Sequence, residues 1–283
     1  MVYRGPGGVN VVINPYFCGK LMEMVLRAAL LQMDIEWGKP AANRAVAGRL
    51  VRALHDTDIA FLPEMFTTGF MAADTALAEP MEGPSVEWMR CTAAETGIAL
   101  AGSLIIGDGR ERPYNRFVFA FPDGRIDWYD KRHLFSFSGE DTLYAPGCVR
   151  VVLEYKGFRI LPMVCYDLRF PVWSRARSDY DVAVYAASWP QARIGAWDAL
   201  LRARAIENQC YVLGINRVGS DPSAFYDGHS VAVDFFGNVM GRLAARCLPR
   251  TFPGMGGCRP FYADGVARSV FLRPTVAAEE LRK

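Results

Sequence analysis

Leu161-Pro162-Met163-Val164-Cys165-Tyr166-Asp167-Leu168-Arg169-Phe170-Pro171 is an apolar run that stops at a cysteine and passes at once into polar, charged and proline residues. Apolar runs of this length, bounded by turn signals, read as buried strands. The thiol then falls at the strand end, on the lip of a sheet, where a ligand can reach it. Taken singly, such a cysteine is more often a small buried hydrophobe than a nucleophile. Its meaning depends on whether the chain supplies an activating environment elsewhere.

The 283 residues are long for one domain yet ordinary for a single α/β unit. A hydrophobic content of 51% with 22% charged residues suits a globular protein with a large core. A net charge of +2 provides no field that would select nucleic acid or an anionic membrane. No apolar stretch approaches the roughly 20 residues of a bilayer span. The seven cysteines (18, 91, 148, 165, 210, 247 and 258) are unpatterned and show no metal-ligand spacing with the three histidines. They read as free thiols of a reducing compartment, and with no secretory signal apparent the expected location is the cytoplasm.

Outward from the cysteine, strands alternate with helices. Val25 to Gln32, Ile59 to Pro63 and Ile98 to Ile106 read as strands, with helices over Pro40 to Leu54 and Pro84 to Thr96 between them. Arg116 to Phe121 and Arg125 to Tyr129 flank the turn Pro122-Asp123-Gly124. Val149 to Tyr155, Phe158 to Cys165, Val182 to Ala187, Tyr211 to Asn216 and His229 to Asp234 complete the strands. Ile194 to Asn208 is the clearest helix, with Trp197, Leu200, Leu201, Ala205 and Ile206 on one stripe and arginines on the other. The pattern predicts an α/β protein with mixed sheets and one principal domain over 24–241. Residues 1–23 read as an N-terminal extension outside the core. Residues 242–283 read as a divergent tail without a consistent period, apart from a short helix at Val276 to Lys283.

Three other stretches repeat the design of the cysteine stretch, placing a polar residue where an apolar strand stops. They contain Glu64 (Phe61-Leu62-Pro63-Glu64), Lys131 (Trp128-Tyr129-Asp130-Lys131) and, shortly after, Glu140. Each singly reads as a solvated charge. Together, PEMFTTGF (63–70), YDKRHLF (129–135), GEDTLYAPG (139–147) and CYDLRFP (165–171) resemble the motifs of the nitrilase superfamily of carbon–nitrogen hydrolases. ASWPQAR (187–193), the segment 197–219 and YDGHSVAVD (226–234) continue the likeness, which spans about Met24 to Gly241.

That resemblance implies a four-layer α-β-β-α sandwich, a homodimer, and a Glu64–Lys131–Cys165 triad with Glu140 as a second glutamate. No cofactor or metal is implied. Cys165 is the expected nucleophile, Glu64 its general base, and Lys131 with the Tyr166 backbone N–H the expected oxyanion donors. His133 is read as structural, which disfavours a Cys–His protease, and His229 as a hydrogen-bonded core residue. The residues after the cysteine look like the omega-amidase branch, which hydrolyses the amide of 2-oxoglutaramate or 2-oxosuccinamate. Arg169 is the candidate clamp for the remote carboxylate, against the alternative of a structural ion pair with Asp167 or with a dimer partner. Phe66, Phe70, Phe135 and Trp189 are candidate pocket walls, or equally core. Another amidase or carbamoylase of this superfamily, or a silent dimeric scaffold, stands as the alternative. Past Gly241 the text departs from the family pattern, as does Phe235, where a proline is usual.

Overall fold

A computed structural model of the chain describes residues 25–107 and 111–243 throughout, and 2–5, 8–11 and 266–272 as backbone strands. In chain order, β1 (Val2–Gly5) and β2 (Gly8–Val11) form a hairpin. Then come β3 (Leu26–Gln32), α1 (Pro40–Arg52), β4 (Ile59–Phe61) and α2 (Pro84–Thr96). β5 (Ala99–Ile106), β6 (Tyr114–Ala120), β7 (Ile126–Asp130) and the short α3 (Glu140–Leu143) follow. The second half holds β8 (Leu153–Tyr155), β9 (Phe158–Val164), α4 (Pro171–Ser174), β10 (Val182–Ala187) and α5 (Ile194–Asn208). It ends with β11 (Tyr211–Asn216), β12 (Val218–Ser220), β13 (Phe225–Asp227), β14 (Val231–Val233), β15 (Val239–Arg242) and β16 (Val266–Leu272).

Two six-stranded mixed sheets carry the molecule, in the orders β16-β3-β4-β5-β6-β7 and β15-β14-β11-β10-β9-β8. The strands β3, β4 and β5 are parallel, as are β9, β10 and β11, whereas the hairpin partners at the margins run antiparallel. Residue parity explains the layering. On β6, Phe117 and Phe119 face the core shared by the two sheets, whereas Val118 and Ala120 face the core beneath α1 and α2. On the far side α5 covers β11, where the absence of a side chain at Gly214 admits Trp197 and Leu201. The expected α-β-β-α sandwich is therefore the observed fold.

Helix boundaries follow local chemistry. α1 and α2 both begin at proline, which lacks the amide hydrogen that a first turn leaves unpaired. α2 stops at Gly97 in the left-handed region (φ 70°).

Several expectations need correction. Val149 to Val152 lie outside β8, and His229 precedes β14, in the left-handed region, rather than lying within a strand. On α5 the apolar stripe ends at Ala205: Ile206 is 52% exposed and packs against the turn at Gly237. Arg204, assigned to the polar face, is instead buried, with Nη2 donating to the Leu168 carbonyl at 2.7 Å. Most of the expected extension over 1–23 and of the tail over 242–283, including the helix at 276–283, lies outside the described residues. Within the tail, Val266–Leu272 is a strand that pairs with β3.

Gly147 shows how closely the backbone is packed beside the future site. Its N–H donates to the Lys131 carbonyl at 2.8 Å, and a Cβ here would overlap the carbonyl oxygen of Asp130. Gly147→Ala is expected to lower stability by about 1–3 kcal/mol, the usual range for overpacking, read as a lower urea midpoint at unchanged m-value.

Candidate active site

Three strand ends and the start of one short helix deliver the four predicted residues to one place. Glu64 follows β4, where the chain continues beside β5 through Leu62 N–H to Ala101 O (2.7 Å) and Phe66 N–H to Ser103 O (3.2 Å). Lys131 follows β7, with its N–H on the Asn115 carbonyl (3.0 Å). Glu140 opens α3 behind Gly139. Cys165 follows β9 and opens a 3₁₀ turn over Cys165–Arg169. Met65 and Cys165 each have φ of 44°, a left-handed conformation that side chains disfavour. Such strain persists where the surroundings over-determine it.

Asp167 supplies much of that determination at the cysteine. Its Oδ2 accepts from Val164 N–H (3.0 Å) and the Tyr129 hydroxyl (2.9 Å). Its Oδ1 accepts from His133 N–H (2.9 Å) and lies 2.8 Å from His133 Nδ1. The His133 ring stacks on Phe170 at 3.7 Å between centroids. His133 is thus structural, as expected. Among the described residues Arg169 makes no ion pair with Asp167, whose two oxygens are engaged by these four groups.

Glu64, Lys131 and Glu140 are each fully buried. Lys131 Nζ donates to Glu64 Oε1 (2.8 Å) and to both Glu140 oxygens (3.1 and 2.8 Å). Glu64 Oε2 accepts from Ser188 N–H at 2.9 Å, and Glu140 Oε2 from Phe135 N–H at 2.7 Å. Burial works against the charge on Lys131, but Glu140 and Glu64 outweigh it and hold the ammonium above the ordinary lysine range. Burial also pushes the Glu140 carboxyl up, Lys131 opposing and Glu64 adding to the rise. The Cys165 thiol is raised well above its usual range, first by burial and then by Glu64, against the pull of Lys131. A thiol in this setting keeps its proton at rest and needs a base at the moment of attack.

Cys165 reaches a cavity of about 490 Å³ that is also lined by Phe70, Phe135, Tyr166, Arg169 and Trp189. Phe66 is not among its walls. It is buried in the core under α2, its ring 5.9 Å from that of Trp88. The Arg169 guanidinium lies 5.1 Å over the Trp189 ring, and a second cation, Arg193, lies 5.2 Å over the Phe135 ring on the same cavity. Arg193, Ser188, Asp167 and Asn115 were not anticipated. Asn115 carried a signal: it shares parity with Phe117 and Phe119 on β6, a polar residue on a core-facing row.

This arrangement of fold and residues belongs to a known class. The carbon–nitrogen hydrolase model matches residues 27–246, and the chain is a member of that family, a hydrolase acting on carbon–nitrogen bonds. It is 47% identical over 219 residues to the omega-amidase YafV of Yersinia enterocolitica, covering 76% of this chain and 83% of that one. The 2-oxoglutaramate amidase of Bacillus subtilis is 35% identical over 216 residues, covering 74% and 83%. Among solved structures, the CN-hydrolase superfamily protein XC1258 of Xanthomonas campestris, with an arsenic adduct in its active site, is 39% identical with a TM-score of 0.78. It covers 91% of this chain and 94% of that one.

Two measurements probe the charge cluster. Lys131→Ala leaves two buried carboxylates without their cation, so a loss of about 3–5 kcal/mol in chemical denaturation is expected. The raised Cys165 thiol gives a pH dependence of definite sign. Its contribution to stability is complete below the unfolded thiol's pKa, and it is lost as pH rises toward the higher folded value. Above pH ~8.5 the unfolded chain releases a proton that the folded chain retains. Stability should therefore fall more steeply than in Cys165→Ala, by up to about 1.4 kcal/mol per pH unit. Parallel stability–pH curves for the two proteins would contradict this.

Proposed function

We propose that the protein hydrolyses the terminal amide of a small omega-amido dicarboxylate, 2-oxoglutaramate or 2-oxosuccinamate, to the acid and ammonia through a Cys165 thioester. The observation that carries this reading is the cavity itself. Its reactive end holds Cys165, and its rim holds two guanidinium groups, Arg169 and Arg193, each resting on an aromatic ring. Among the described residues neither has a carboxylate within ion-pair distance. A substrate with an amide at one end and a carboxylate at the other matches that polarity. The names of the YafV and Bacillus relatives agree with it.

In the proposed mechanism Glu64 takes the thiol proton as Cys165 Sγ attacks the amide carbon. Lys131 and the Tyr166 N–H stabilise the oxyanion, an interaction whose loss typically costs about 10²–10³-fold in rate. Collapse breaks the C–N bond, and the proton passes from Glu64 to the departing ammonia. Water then attacks the thioester while Glu64 accepts its proton. The thiol is regenerated and the acid leaves. Glu140 holds Lys131 in place and, through the Phe135 N–H, ties the aromatic wall to the same cluster. Arg169 is the carboxylate clamp, and Tyr166, Phe135 and Trp189 shape the chamber. The proposal includes a cytoplasmic homodimer and needs no cofactor.

Ammonia release from 2-oxoglutaramate by the wild type, abolished in Cys165→Ala, tests the reaction, and no release from either protein would favour the scaffold reading. Arg169→Ala is expected to raise KM for 2-oxoglutaramate at least about tenfold, the effect of one lost charge-assisted pair, with little change for a neutral short amide. Equal effects on both substrates would remove Arg169 from the clamp.

A further inference from the structure

The geometry points to Asn115 as a positioning residue whose one amide group, oriented by Ser103, orients both active-site glutamates at once. Its Nδ2 donates to Glu64 Oε1 at 2.8 Å and to Glu140 Oε1 at 2.9 Å. Asn115 is fully buried, as are both carboxylates. Besides Lys131, it is the one side chain among the described residues with hydrogen bonds to both.

An asparagine can turn either end toward its neighbours, so its orientation must come from the surroundings. Here the surroundings decide it. Met65 N–H donates to Ser103 Oγ at 2.8 Å, which leaves the hydroxyl proton to point elsewhere. Ser103 Oγ lies 2.8 Å from Asn115 Oδ1 and donates to it. The oxygen end is thereby engaged by β5, and both N–H protons are directed at the glutamates. The chain of bonds begins at Met65, the left-handed residue next to Glu64, and returns to the Glu64 carboxylate.

The consequence is chemical. One ammonium faces two carboxyl groups, so acid outnumbers base in a fully buried cluster where bulk solvent screens little. A neutral double donor offsets that excess without adding charge and favours the ionised carboxylates over their protonated forms. It also fixes Glu64 Oε1 between Asn115 and Lys131, leaving Oε2 with the Ser188 N–H and free capacity toward a reacting proton. The titratable groups around the amide are Glu64 after β4, Lys131 after β7 and Glu140 on α3. Cys165 after β9 couples through Glu64, Tyr144 interacts with Glu140, and Tyr226 on β13 interacts with Glu64.

This inference rests on the proposed roles of Cys165 and Glu64, and its test separates the two. Asn115→Ser, Asn115→Asp and Ser103→Ala are compared with the wild type as full-length proteins. One readout is kcat and KM for 2-oxoglutaramate across pH. The other is the pH dependence of Cys165 alkylation by iodoacetamide, with Cys165→Ala subtracted because Cys91 and Cys148 are exposed. Losing donors to the carboxylates moves the acid limb of both profiles to higher pH, by about one unit in Asn115→Ser and further in Asn115→Asp, where a third carboxylate joins the cluster. kcat falls at least about tenfold while KM stays within about threefold, the pattern of a group acting on the chemical step. Ser103→Ala shifts both profiles in the same direction by less, and decides the matter if the Asn115 variants do not fold. Acid limbs at the wild-type pH in folded variants, whatever the loss of rate or thermal stability, would reduce Asn115 to a structural residue. Normal alkylation without amide turnover in the wild type would overturn the functional reading instead, and the alkylation profiles would still decide the role of Asn115.

Discussion

One buried ammonium group organises the active end of this molecule. Lys131 is enclosed without access to water and answers two carboxylates with a single charge. Taking three ionised groups out of water is unfavourable unless each finds nearly all of its partners inside the protein. The fold meets that condition from many directions: Ser188 from the end of β10, Asn115 from β6, and the Phe135 amide from the loop before α3. Both sheets are therefore committed to the site. Glu64, Lys131 and Asn115 come from the first sheet, while Cys165 and Ser188 come from the second. The sandwich brings them together where strands of the two sheets end.

The cysteine is held differently. Its strained backbone is tied by Asp167 to the loop that follows Lys131, and Arg204 on α5 supports the Leu168 carbonyl in the same turn. Cys165 and Lys131 are thus linked through Asp167 by one hydrogen-bonded network even though they belong to different sheets. Their separation is set by side chains of fixed length, and proximity of this kind is a large part of what a site can contribute to rate.

The sequence carried the strands and helices because burial on parallel strands leaves long apolar runs, and proline and glycine mark where they stop. The residues that follow β4, β7 and β9 were legible for the same reason, and Glu140 through the motif around it. What escaped had a weaker signal, such as the parity of Asn115 on β6, or none. Ile206 fits a helical period yet lies one step past the edge of the stripe, against the turn at Gly237. Phe66 follows Glu64 closely, but Met65 reverses the backbone and sends the ring into the core beneath α2. Asn115, Ser188 and Arg193 act through neighbours remote in the chain, and no spacing announces a contact between β6 and α3. The pairing of β16 with β3 likewise depends on a partner more than 200 residues away, in a stretch with no period to read.

The hydrogen bond from Phe135 to Glu140 has an evolutionary corollary. Because that bond comes from the Phe135 main chain, a descendant enzyme can exchange the ring for a smaller side chain, but it cannot move the backbone of the inner wall without displacing a carboxylate of the charge cluster. The outer rim, where Arg169 and Arg193 rest on aromatic faces, bears no such load. Relatives that diverge in substrate while keeping the same chemistry would therefore be expected to vary at the mouth and stay invariant at the floor. Selection can rewrite which molecule is admitted long before it can rewrite what is done to it.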